Sequence, residues 1–436
     1  MKENKFLTPF QKFVKVESFS GILLFSATLI ALIWANSPWA DVYQSLWQYK
    51  VGFQSDGFAL NKPLILWVND GLMAIFFFLI GLEIKRELLI GELNSLRKAA
   101  LPFFAAMGGM FIPILCYFLF NSNPETSVGW GIPMATDIAF SLAILKLLGN
   151  RVPLSLKVFL TAFAIVDDLG AVMIIGIFYS SGLDWSLLSI GLAILVILYS
   201  LSYLRFYLKY LVFLAGALVW LLFLKAGIHP TLAGVLVAFA VPIRQKIDIA
   251  SYSDRLVQIV DAFRSSPKES SNLLSKEQIK HLDQLDTWTE EVQSPLQSLE
   301  HTLHGWVAYF IMPIFALANT GIMFGGGMAL DQSLILSISL SLLLGKSLGV
   351  VLFSFLGIAL NLAELPKDVN RLQILGVGLL SGVGFTMAIF IAGLAFGSAP
   401  EFIDSAKIGI LLGSLVAGVL GYVVLRLSSN PDKELS

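Results

Sequence analysis

Asp167 and Asp168 stand side by side in the apolar run Ala164-Ile165-Val166-Asp167-Asp168-Leu169-Gly170, and they are the groups in this chain best suited to chemistry. In a helix their side chains point about 100° apart, so the two carboxylates address neighbouring partners. Burial and mutual repulsion both disfavour two negative charges at such a place, which makes protonation and cation binding alternatives at the same oxygens. Carboxylate and carbonyl oxygens are hard ligands that suit alkali and alkaline-earth cations rather than soft metals. A buried ion pair that only ties helices together is the competing explanation.

Other ionisable groups fall inside apolar runs: Asp70, Asp137 and Lys346, with Glu83 nearer the end of its run. In hydrocarbon a helix-centre Asp or Lys costs about 2.5 to 3.5 kcal/mol, so each calls for an explanation. Lys346 lies too far from either end of its run to reach water by extending its stem, and it is the natural counter-charge for one of the aspartates. Two runs are interrupted at membrane depth. In Gly129-Trp130-Gly131-Ile132-Pro133-Met134-Ala135-Thr136-Asp137 the proline lacks a backbone donor, and Ser381-Gly382-Val383-Gly384-Phe385-Thr386 is rich in glycine. Paired helix breaks in opposite halves of a membrane chain point to an ion site built from half-helix ends. Asp137 and Lys346 would then offset the dipole ends exposed at the breaks.

The elements that must position these groups follow from composition. The 436 residues are 56% hydrophobic and only 14% charged, with a mean hydropathy of +0.79, against about 25% charged in soluble domains. Runs of roughly 20 apolar residues, the length that crosses a bilayer as a helix, recur along the chain. They predict an all-α membrane protein, a single transmembrane domain over 1–436. Twelve spans are expected, near 17–36, 63–84, 97–120, 126–148, 154–179, 184–204, 207–225, 227–243, 303–323, 332–361, 371–397 and 402–427. The lysine-rich start is read as leading into the first span rather than as a cleaved signal. With both termini inside, every Lys and Arg except Lys50, Lys62, Lys225, Lys407 and the midspan Lys346 falls on an inner segment, as cytoplasmic loops require.

Two polar pieces interrupt the spans. Residues 45–62 alternate around Asp56-Gly57, a hairpin signal on the outer side. Residues 244–300 carry charges of both signs and a capping-box sequence at Ser275-Lys276-Glu277-Gln278, which predicts cytoplasmic helices in a solvated, regulatory loop. The net charge of -1 offers no basic patch for nucleic acid. Cys116 is the single cysteine, so neither an internal disulfide nor a cysteine metal site forms. His301 and His304 have no companion ligands and read as a surface or interfacial pair. His229, at the outer start of a span, titrates near neutral pH when unperturbed. Two other functions use similar parts. A membrane-embedded Mg-dependent transferase would need further acids and bases for its phosphates, and residues 169–183 contain none. A cation channel would use the helix breaks, but not a titratable pair.

Together these segments resemble the bacterial NhaA-type sodium/proton antiporters from the first span to the last. The matching pieces are Val68-Asn69-Asp70-Gly71-Leu72-Met73-Ala74, Gly81-Leu82-Glu83-Ile84-Lys85-Arg86-Glu87-Leu88, Ala135-Thr136-Asp137-Ile138-Ala139-Phe140, Asp167-Asp168-Leu169-Gly170-Ala171, His229-Pro230-Thr231-Leu232-Ala233-Gly234, Leu299-Glu300-His301-Thr302-Leu303-His304, Gly345-Lys346 and Gly384-Phe385-Thr386-Met387. The resemblance implies an inverted-topology repeat, of which this family is itself a type example: spans three to five mirror ten to twelve, and spans four and eleven cross while unwound. It implies ion coordination by Asp167, Asp168 and Thr136, with Lys346 paired to Asp167 and Asp137 balancing helix ends. It assigns Glu83, Arg86, Glu87, His229 and Glu300 to the pH response. It implies electrogenic exchange of Na+ or Li+ for H+ without a cofactor, in a homodimer joined through 45–62 in the bacterial inner membrane. Ser347 and Gly305 stand where the family pattern has proline, which predicts different helix bending there, and the 244–300 loop is longer than in compact members.

Overall fold

A computed structural model describes residues 9–55, 58–180, 182–204, 206–266, 273–324, 330–397 and 399–428. Apolar sequence in a bilayer must satisfy its backbone within each segment, and the chain does so almost entirely as helices. α1 (Pro9–Ala35) turns through 113° into α2 (Ala40–Gln48). Strands β1 (Lys50–Ser55) and β2 (Phe58–Pro63) pair antiparallel with Lys50 opposite Pro63. Their joining residues, Asp56-Gly57, lie outside the described residues. Then come α3 (Leu64–Leu89) and α4 (Leu96–Phe120). A 3₁₀ segment (Pro124–Met134) leads to α5 (Ile138–Leu147), and α6 (Leu154–Phe178), α7 (Trp185–Tyr203), α8 (Lys209–Ala226) and α9 (Thr231–Ala240) follow.

The polar stretch folds as α10 (Ile249–Ser265) and α11 (Lys276–Val292), and Ser275 and Gln278 make both bonds of the capping box. α12 (Pro295–Asn319) and α13 (Gln332–Ala359) are long spans. α14 (Arg371–Ser381), α15 (Phe385–Ala395) and α16 (Ile403–Ser428) complete the chain. Among the described residues eight helices are long and apolar enough to cross a membrane, or up to eleven if each bent pair counts as one span. The chain is a multi-pass membrane protein.

Three expectations change. The eighth span, expected over 227–243, holds only the ten-residue α9, about 15 Å long at 1.5 Å per residue. Gly227 at φ 81° ends α8, Pro230 precedes α9, and Lys85 Nζ donates to the Phe239 and Val241 carbonyls at its far end (2.7 and 2.5 Å). The ninth span starts at Pro295 rather than 303, because Ser294 caps it and proline at the first helical position lacks only a donor that would have no partner there. Lys407, counted with the outer loops although it falls in the expected twelfth span, lies within α16.

Close packing relies on small residues, as in membrane helices generally. α4 and α13 meet at Gly108 and Gly349, where a Cβ on either would collide with the other's carbonyl oxygen. α3 and α9 meet through Gly234, whose added Cβ would strike the Ala74 carbonyl. Among the described residues three long helices contain a π turn, at Trp67–Leu72, Val307–Ile311 and Ser341–Lys346. The second follows Gly305 by two residues and the third ends beside Ser347, so both proline departures adjoin a π turn.

Candidate functional site

Both interrupted segments are broken helices. The 3₁₀ segment and α5 are bent by 49°, α14 and α15 by 42°. Hydrogen bonds join one break to the other. The Asp137 N–H donates to the Val383 carbonyl (2.7 Å), the Thr136 hydroxyl to Ser381 O (3.1 Å), and the Ser141 hydroxyl to Leu380 O (3.0 Å). The carbonyls left open at the end of α14 are thereby satisfied from the other break. In return, Asp137 Oδ2 accepts from the backbone N–H and hydroxyl of Thr386 (3.1 and 2.5 Å), while Oδ1 accepts from the Phe140 N–H (3.2 Å). One carboxylate thus caps the positive ends of two helices, α5 and α15. The Ser414 hydroxyl accepts from the N–H groups of Gly384 and Phe385 (both 3.2 Å).

α6 carries Asp167 and Asp168 to this junction, 1% and 3% exposed. Lys346, fully buried at the end of the α13 π turn, donates to Asp167 Oδ2 at 2.7 Å and to the Met134 carbonyl at the end of the 3₁₀ segment. Asp167 Oδ1 has no hydrogen-bond partner among the described residues. Asp168 points the other way. It lines a cavity of about 70 Å³ together with Thr136, Asp137, Thr386, Glu83 and His304. The pair therefore divides its partners, one carboxylate on a lysine and the other on a small chamber whose walls are mostly apolar, with a few polar groups among them.

Two further clusters of charged groups lie at opposite ends of α3, Asp70 and Arg86 being sixteen residues and so about 24 Å apart along it. At one end Asp70 binds Lys62 (2.9 Å), and His229 Nε2 lies 4.0 Å from Asp70 Oδ1. The His229 ring shares a hydrogen bond with the Thr231 hydroxyl (2.7 Å). At the other end Arg86 bridges Glu87 (2.8 Å) and Glu300, and His304 Nδ1 lies 4.0 Å from Glu83 Oε1. His229 is thus separated from the other residues of the expected pH-response set, and Glu83 is the member that lines the chamber with Asp168.

A sequence profile described as Na+/H+ antiporter 1 matches residues 11–425. The chain belongs to that antiporter family. It is similar to the Na(+)/H(+) antiporter NhaA of Oleidesulfovibrio alaskensis, with 48% identity over 99% of this chain and 97% of the relative. It is also 46% identical to Na(+)/H(+) antiporter NhaA 1 of Saccharophagus degradans, over 98% and 92% of the two chains, and 44% identical to the NhaA antiporter of Bacteroides fragilis, over 93% and 95%. Membership makes the chain a transporter and not an enzyme.

Within this antiporter fold two residues lie where sequence reasoning did not put them. His304, expected with His301 as a surface or interfacial pair, faces Glu83 inside the chamber, whereas His301 is exposed. The helix that begins at Pro295 turns one histidine inward and leaves the other outside. Thr386 is the donor to Asp137. Its place in a glycine-interrupted run was visible, but an uncharged threonine gives no sign of which acceptor it reaches.

Proposed function

We propose that the protein exchanges sodium, or lithium, for protons across the bacterial inner membrane by competition at Asp167 and Asp168, serving pH and sodium homeostasis. The observation that carries this reading is the division of the pair: Asp168 opens on the chamber that Thr136 also lines, while Asp167 Oδ1 lacks a hydrogen-bond partner among the described residues and Oδ2 is held by Lys346. A small hard cation entering the chamber meets carboxylate oxygen from Asp168 and hydroxyl oxygen from Thr136. Asp167 completes the set when Lys346 yields. Protons take the same oxygens when the cation leaves, so the two cargoes exclude one another. Asp137 stays occupied as the cap of two helix ends and keeps them neutral.

In this reading the exchange is electrogenic and the Arg86 cluster, with Glu83, Glu87 and Glu300, forms the cytoplasmic mouth that responds to pH, with His229 acting at the far end of α3. The chain crosses the membrane twelve times as an inverted repeat, α9 serving as a short eighth crossing extended by its non-helical flanks. Both termini are cytoplasmic, in keeping with the Lys and Arg distribution. β1 and β2 form an outer hairpin that joins two copies into a homodimer.

The test is collapse of an imposed proton gradient in everted vesicles on adding NaCl or LiCl, for the intact protein and for Asp167→Asn and Asp168→Asn. Collapse by the intact protein alone is expected. A cation flux uncoupled from the proton gradient would indicate a channel and overturn the reading, as would full exchange by either variant.

A further inference from the structure

Thr386 belongs to none of the charged groups discussed above, yet it occupies the junction of both breaks. It is 1% exposed, stands in the first turn of α15 and lines the same chamber as Asp168 and Thr136. Its backbone N–H and its hydroxyl converge on one oxygen, Asp137 Oδ2, while Phe140 holds the other. Asp137 also lines the chamber. A carboxylate held by three donors does not swing toward a cation at Asp168, and the peptide that carries it cannot shift without breaking those bonds. The neighbouring residue on that peptide is Thr136, whose hydroxyl is tied to Ser381 O.

We infer that Thr386 is a positioning residue for the cation site: its hydroxyl fixes Asp137 against the start of α15, which holds Thr136 beside Asp167 in the chamber that Asp168 lines and keeps Asp137 from binding the ion itself. This inference rests on the exchange reading above. Thr386→Val keeps the branched shape and the backbone bond but removes the hydroxyl donor, so Asp137 Oδ2 keeps one partner of two. A hydrogen bond to a charged group is strong enough for its loss to change affinity about tenfold.

The experiment measures the KM for Na+ in proteoliposomes and, independently of turnover, the Na+ concentration that half-saturates thermal stabilisation of the purified protein. Thr386→Val is expected to raise both about tenfold, with a much smaller change in maximal rate, and Thr386→Ser is expected to recover them. In an Asp137→Asn background the valine should shift Na+ stabilisation by less than about twofold, because the two residues act as one unit. If the intact protein shows no exchange, the functional reading fails before this inference is reached. If the intact protein exchanges and the valine leaves Na+ dependence unchanged, or shifts it equally in both backgrounds, Thr386 does not act through Asp137. Failure of both Thr386→Val and Thr386→Ala to yield monodisperse protein would likewise overturn the inference, placing the residue in assembly rather than in positioning.

Discussion

Replacing Lys346 by methionine removes the ammonium from a site with no access to water and leaves the shape nearly unchanged. The Asp167 carboxylate then keeps only the Thr136 hydroxyl as a polar side-chain neighbour among the described residues, since Lys346 supplied the bond to Oδ2. Breaking a buried pair from one side costs about 3–5 kcal/mol. With an unfolding entropy of about 2.1 cal/mol/K per residue over 436 residues, that lowers Tm by about 3–5 °C. Adding Asp167→Asn removes the stranded charge, and what remains is mainly the Met134 carbonyl without its donor, at about 1–3 kcal/mol. The double variant should therefore melt above Lys346→Met, between the single variant and the intact protein. The assay is thermal melting of detergent-purified protein followed by size-exclusion chromatography. If Lys346→Met melts within about 1 °C of the intact protein, or the double variant melts below both singles, the pair does not carry the charge balance described here.

Gly108→Val places a branched side chain against the Gly349 carbonyl, where backbone must move to admit it. A loss of monodisperse protein or a Tm drop of several degrees is expected, and unchanged melting would show that α4 and α13 can separate without cost. Ser275→Ala removes the cap of α11, worth about 1 kcal/mol locally. Amide exchange over 276–279 should quicken while exchange in vesicles stays as in the intact protein, and unchanged amide protection would refute the capping role.

Charge at depth is what made the site legible. Asp137, Asp167, Asp168 and Lys346 each carry a cost in an apolar run that no surface residue carries, so sequence alone singles them out. The breaks were legible for a related reason, since Pro133 and the glycines of 382–384 disrupt helices by covalent structure. What stayed hidden lacked such a cost. Thr386 is neutral, and polar residues of its type are common in membrane helices. His304 is distinguished from His301 only by the rotation of a helix whose start, Pro295, lies inside a stretch that reads as solvated loop. The short α9 was obscured because Thr231–Ala240 lies in an apolar stretch long enough to read as a span. Pro230 and Pro242 bracket the helix, the second disfavouring helix at Val241, and Lys85 from α3 satisfies the Phe239 and Val241 carbonyls where it stops.

The π turn at Ser341–Lys346 has a consequence for how this helix can change. A π turn stores one residue more than the α-helical path around it needs. Removing that residue would return α13 to a plain α-helix whose two parts keep their facing, whereas removing a residue from the regular helix before the turn would rotate everything beyond by about 100° relative to the part before. In the second case Lys346 would leave the face that meets Asp167 and the 3₁₀ segment, although every residue type in the site would still be present. Single-residue deletions in α13 outside this turn should therefore abolish the ion pair where one within it is absorbed, and counting positions at ideal α-helical spacing with no allowance for the extra residue places the lysine on the wrong side.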